Sequence, residues 1–127
     1  MAESIITNQR RINLRKITSG EVSTIPKITH IAFGNAGVDS GGDPITPSGA
    51  QTALNNEVAR YPIDSVECPV TTTARYMVTI PKNDLVGVCI SEAALVDESG
   101  ALCAIQTMYE KRKDEGVKFV FTFDDEF

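Results

Sequence analysis

Between Val117 and Phe123 the chain reads VKFVFTF, which sets Val117, Phe119, Phe121 and Phe123 on one side and Lys118, Val120 and Thr122 on the other. Only an extended strand puts every second residue on the same side, and three phenylalanines there require that side to be buried. The fold must therefore contain a sheet and a second layer to cover it. The residues before it agree. ARYMVTI places Ala74, Tyr76, Val78 and Ile80 on one face, and PKND turns the chain. VGVCISEAALV reads as a longer strand, Asp97-Glu98-Ser99-Gly100 as a turn, ALCAIQTMY as another strand and KRKDEG as a charged turn.

One residue breaks this pattern. Positions 86, 88, 90, 92, 94 and 96 read Val, Val, Ile, Glu, Ala, Val, so Glu92 falls on an apolar face. Either a bulge rotates it outward, or it is a buried carboxylate held by hydrogen bonds or by an arginine, because an unpaired buried charge is very costly. Arg60 or one of the N-terminal arginines could serve. Glu57, Arg60 and Glu92 are expected as structural polar residues.

The N-terminal half reads differently. In ITNQRRINLRKITSGE, Thr7 or Asn8 can cap a helix and Ser19-Gly20 can end it. ITHIAFG then alternates as a strand, with Ile28, His30 and Ala32 on one face and Ile31 and Phe33 on the other. Residues 34–49, GNAGVDSGGDPITPSG, form a long loop, and loops of this length in compact domains are usually functional or contact surfaces. AQTALNNEVAR follows, with Ala50, Ala53, Leu54 and Val58 suggesting a second short amphipathic helix. The expectation is one α+β domain over 1–127, its N-terminal helices packed on a mostly antiparallel β-sheet or sandwich.

A net charge of −5 argues against a general nucleic-acid binder, which needs a basic face. The charge is uneven. Residues 1–30 carry five basic and two acidic side chains, a balance of +3, which leaves −8 for the remainder. Such a split suits contacts between unlike surfaces of neighbouring subunits. No apolar run reaches the roughly 20 residues that span a bilayer. MAESIITNQRR lacks the order of a signal peptide, so folding in the cytoplasm is expected. Cys68, Cys89 and Cys103, an odd number without a C-x-x-C pair, read as packing residues and not as a disulfide or zinc framework.

Catalytic chemistry finds little footing. A nucleophilic triad needs a base, and the single histidine, His30, lies inside an apolar strand. The glycines at 34, 37, 41 and 42 lack both G-x-x-x-x-G-K and a direct strand-to-helix passage, so a phosphate cradle is not expected. Asp39 and Asp43 lack the spacing of a calcium loop. The carboxylate pairs Asp97-Glu98, Asp114-Glu115 and Asp124-Asp125 sit in turns or at the end, positions that are normally solvated. No enzyme, cofactor or metal is expected. A small carbohydrate- or ligand-binding module is the rival from another class, but it would need exposed aromatics along a cleft.

Four segments, in order, resemble the N-terminal domain of phage tail-collar fibre proteins. The start is Ile5-Ile6-Thr7-Asn8, and the strand I-T-H-I-A-x-G stands as residues 28–34. The stretch T-x-L-x-N-E-V-x-R-x-P-I is carried by Thr52, Leu54, Asn56, Glu57, Val58, Arg60, Pro62 and Ile63. Ile80-Pro81 precedes a G-x-x-I-x-E-x-x-L-x-D-x-x-G hairpin at Gly87, Ile90, Glu92, Leu95, Asp97 and Gly100. The family usually has a double glycine where Val86-Gly87 stands, and its members commonly head a much longer fibre. The resemblance implies a standalone structural adaptor that connects tail fibres to the baseplate of a phage or phage-tail-like particle. It implies assembly in the host bacterial cytoplasm, other tail proteins as partners and a symmetric multi-copy state, with a neck or collar protein as the alternative. Contacts are expected from the 1–20 segment, through Arg10 and Arg11, and from the long loop, through Asn35, Asp39 and Asp43.

Overall fold

The computed structural model describes residues 3–127. Among them are eight strands and one helix. β1 is Glu3–Ile6, α1 Asn8–Thr18, β2 Ile28–Gly34, β3 Glu57–Pro62, β4 Ser65–Val70, β5 Thr73–Ile80, β6 Cys89–Asp97, β7 Leu102–Arg112 and β8 Phe119–Glu126. All pairings are antiparallel. The strands form a five-stranded sheet, β1-β7-β6-β2-β3, and a three-stranded sheet, β4-β5-β8.

The inner faces of the two sheets enclose the main core. Ile31 and Phe33 from β2, Ile90, Ala93 and Leu95 from β6, and Cys103 and Met108 from β7 meet Val78 and Ile80 from β5 and Phe123 from β8. Phe119 and Phe121 pack against this core, and the Phe121 ring meets that of Phe33 edge-on at 5.2 Å. Each aromatic side chain removed from water contributes about 1.5–3 kcal/mol. The expected side of β8 is therefore the inner one. Val117 lies before the strand and is exposed.

The expectation of α+β with N-terminal helices is overturned. Among the described residues there is a single helix of 11 residues, and the rest of the regular structure is antiparallel sheet. α1 has the expected ends: Thr7 Oγ1 accepts the N–H of Arg10, Ser19 closes the last turn and Gly20 follows with φ 78°. The helix expected after residue 49 does not form. Residues 50–56 are turns, and Glu57–Pro62 leaves them as β3 to pair with β2. Asn55 and Asn56 direct their N–H groups to a side chain on β6, where a helix would direct them to carbonyls four residues back. β1 went unforeseen because four residues carry almost no periodicity.

β6 begins at Cys89 and not at Val86, because Leu85 at φ 54° and Gly87 at φ 81° keep the chain in turns until then. From Ile90 to Asp97 the strand is buried throughout. A register shift between Ile90 and Glu92 sends Ala93 and Leu95 to the main core and Ala94 and Val96 to a second cluster on the outer face. There they meet Ala32, Leu102, Ile105 and, from the segment between β2 and β3, Leu54.

The three cysteines are unpaired, with Cys68 exposed and Cys103 buried. Burial first, then the nearby Asp97 carboxylate, pushes the Cys103 thiol up to about 12. At pH 8 a thiol-specific reagent should modify Cys68 rapidly in the folded protein. Cys103 should react only after denaturation, because thiolate is the nucleophile; fast labelling of Cys103 in the native state would refute this.

Candidate functional site

The large sheet carries on its outer face the segment between β2 and β3, and Glu92 organises it. This side chain is 1% exposed. Its Oε2 accepts the N–H of Ala36 at 3.1 Å and of Asn56 at 2.9 Å, and its Oε1 accepts the N–H of Asn55 at 2.9 Å. One carboxylate thus ties both ends of a loop of about 20 residues to β6. Of the two alternatives the buried carboxylate holds: a bulge is present between Ile90 and Glu92, but it does not carry Glu92 into solvent, because the loop covers that face. The partners are backbone amides and not an arginine. Charged acceptors suit such amides well, since each bond is shorter and stronger than a neutral one.

Further contacts fix the loop. Gly37 donates its N–H to Ser91 Oγ at 2.8 Å, and Thr107 Oγ1 donates to the Ile45 carbonyl at 2.6 Å. The Asn8 N–H donates to the Gly49 carbonyl at 2.7 Å, joining the loop to the start of α1. Leu54 supplies the apolar anchor. The backbone at Gly37 runs so close to the Ser91 carbonyl that a Cβ would collide with it. Gly37→Ala should cost about 2 kcal/mol in thermal or denaturant unfolding. Gly41→Ala, whose nearest new neighbour is the Asp39 side chain at 3.3 Å, should cost much less. Equal effects from the two would refute the close-approach reading.

What the loop presents outward is polar. Asn35 is exposed, with its Oδ1 accepting from Asn56 Nδ2 at 2.6 Å. The Asp39 carboxylate accepts the N–H groups of Gly41 at 2.8 Å and Asp43 at 3.1 Å, and Val38 and Pro44 bridge below this turn. Asp39 and Asp43 are both exposed. The bonding in this turn stays within the loop, so the turn is a rigid projection.

Other expected residues fall elsewhere. Glu57 and Arg60 pair with each other on β3, at 3.0 and 2.8 Å, and not with Glu92. Arg10 is 8% exposed and forms a two-bond pair with Asp125 of β8, both at 2.6 Å, while its guanidinium stacks 5.0 Å from the Phe127 ring centroid. Burial lowers the pKa of Arg10, but the hydrogen bond and charge of Asp125 outweigh it and the net direction is upward. Its guanidinium is engaged within the chain, so Arg11, exposed on α1, carries the outward charge of that segment. The first two residues of the 1–20 segment lie outside the described residues. The charge split is partly consumed within the chain, since Arg15 and Lys16 also pair with Glu21. Asp125 was expected to be solvated. Continuing the alternation of Phe119, Phe121 and Phe123 by one step would have placed it inside.

His30 lies on β2, its Nδ1 2.9 Å from Thr29 Oγ1. Among the described residues no helix is long and apolar enough to cross a membrane. A family model described as phage tail-collar fibre protein, N-terminal, matches residues 1–119 of the 127. No curated protein and no solved structure matches the chain.

Proposed function

The chain belongs to the phage tail-collar fibre protein family, whose domain is a structural part of the phage tail, and from that premise we propose that it connects tail fibres to the baseplate by protein–protein binding alone. In this reading residues 1–127 act as one attachment domain, an adaptor within a symmetric multi-copy assembly, in a phage or a phage-tail-like particle with a contractile tail. It needs no cofactor, nucleic acid or membrane, and it turns over no substrate. The observation that carries it is the outer-face loop. A segment of this length held at both ends by a buried carboxylate, near its start by Ser91 and at its middle by Thr107, is a preorganised surface. Preorganisation spares the ordering entropy that a free loop would lose on docking. Asn35, Asp39 and Asp43 on the loop, with Arg11 on α1, form the docking face.

The test is assembly. Particles carrying Arg11→Glu together with Asp43→Lys should lack fibres in electron micrographs, while the isolated variant melts as the unsubstituted protein does, because both side chains are exposed. Normal fibre attachment by these particles would refute the docking face.

A further inference from the structure

The outermost strand of a sheet leaves one row of backbone N–H and C=O groups unpaired, and folded proteins blunt such edges by shortness, proline, bulges or charge. Four strands stand at edges here. β1 has four residues. β3 ends on Pro62, and its register with β2 slips at Phe33/Gly34. β4 contains Pro69 and slips against β5 between Glu67 and Val70. β8 is neither short, broken by proline nor bulged: it runs for eight residues in unbroken register from Thr73↔Glu126 to Ile80↔Phe119, and its charges, Asp124, Asp125 and Glu126, are gathered at its C-terminal end, with Asp125 turned inward. Among the described residues it pairs only with β5. Its free side opens on a groove of about 530 Å³ between Thr122, Asp124 and Glu126 on one wall and Ile5, Ile6 and Ala104 on the other. Val120 and Tyr109, near that edge, are 56% and 51% exposed.

We propose that β8 is a self-association edge, at which two copies of the chain pair antiparallel about a two-fold axis through Thr122. The three-stranded sheets of two copies then become one sheet of six strands. Charge complementarity selects the second copy as the occupant. In this register Lys118 stands opposite Glu126 of the partner subunit, and symmetry repeats the pair at the other end. Thr122 opposes Thr122 of the partner subunit, and Phe121 opposes Phe123 of the partner subunit on the inner face. Opposite charges, paired threonines and paired aromatics are the favourable cross-strand combinations.

Competing arrangements do worse. A slip of one residue would set the inner face of one copy against the outer face of the other. A slip of two would point Lys118 at Asp124 of the partner subunit, and Asp124 is already held by Arg75 at 2.8 Å. Lys118 and Glu126 make no ion pair among the described residues. β4 as the incoming strand would bring Glu67 against an acidic edge and offer no N–H at Pro69.

The pairing deepens the multi-copy part of the proposed function and rests on it only there. Sedimentation velocity on the 127-residue chain should show a monomer–dimer equilibrium. Lys118→Glu should raise the dissociation constant by about tenfold, since two attractive cross-strand pairs become repulsive. Adding Glu126→Lys should restore it. Both side chains are exposed, so the melting temperature of the monomer should not move. A chain that stays monomeric, forms trimers, or ignores K118E would overturn the proposal. A chain that dimerises as described but leaves fibre attachment intact in the R11E/D43K particles would overturn the docking reading alone.

Discussion

Replacing Glu92 by alanine should lower the unfolding free energy by about 3 kcal/mol, because three amides then lose a charged acceptor inside a covered site. For a domain of this size that corresponds to a melting temperature lower by roughly 10 °C. Glu92→Gln should recover little. It preserves the volume, but it replaces one acceptor oxygen with an NH₂ group that faces amide donors. The damage should be local before it is global. Hydrogen exchange at Ala36, Asn55 and Asn56 should accelerate well beyond that of the β5–β8 amides, as a released loop opens independently of the core. An alanine variant that melts with the unsubstituted protein would refute the clamp.

The second large effect is expected at Arg10 and Asp125. The pair is inside the fold, with both hydrogen bonds at 2.6 Å and Asp125 only 2% exposed. Asp125→Ala should destabilise by about 3–5 kcal/mol, since it leaves a guanidinium buried without its counter-charge. Arg10→Ala should do the same by isolating the carboxylate. The double variant should be milder than either single one, because much of each single penalty comes from the orphaned partner and not from the lost attraction. A double-mutant cycle by urea unfolding measures this directly. Additive losses would show that the two residues do not act as a pair. Since Arg10 is on α1 and Asp125 on β8, this is also the polar tie between the helix and the small sheet.

The family could be read from the residues before any coordinates, and so could most of the elements. The strand at residues 28–34 lies where its alternation put it, and α1 has the ends that Thr7 and Ser19-Gly20 foretold. These signals are local: a cap acts over four residues, and alternation shows within one strand. The helix expected after residue 49 failed for the opposite reason. Its apolar spacing was weak, and a carboxylate some 36 residues away drew the Asn55 and Asn56 amides into another conformation.

Glu92 shows where the two kinds of information divide. The residue broke an apolar pattern, and that much was visible in the one-dimensional order of side chains. Which alternative held depended on whether something lay over the outer face of β6, and only the return of the 35–56 loop across the sheet decided it. Arg10 divides the same way. Its position on a helix followed from sequence, but its burial against Asp125, 115 residues on, followed from how α1 packs on β7 with the Arg10 side chain in reach of β8. Local periodicity and capping carry the elements, since their energetics depend on neighbours in the chain. Long-range pairing of charges and the covering of faces depend on topology, and topology is set by how all the apolar faces are buried together.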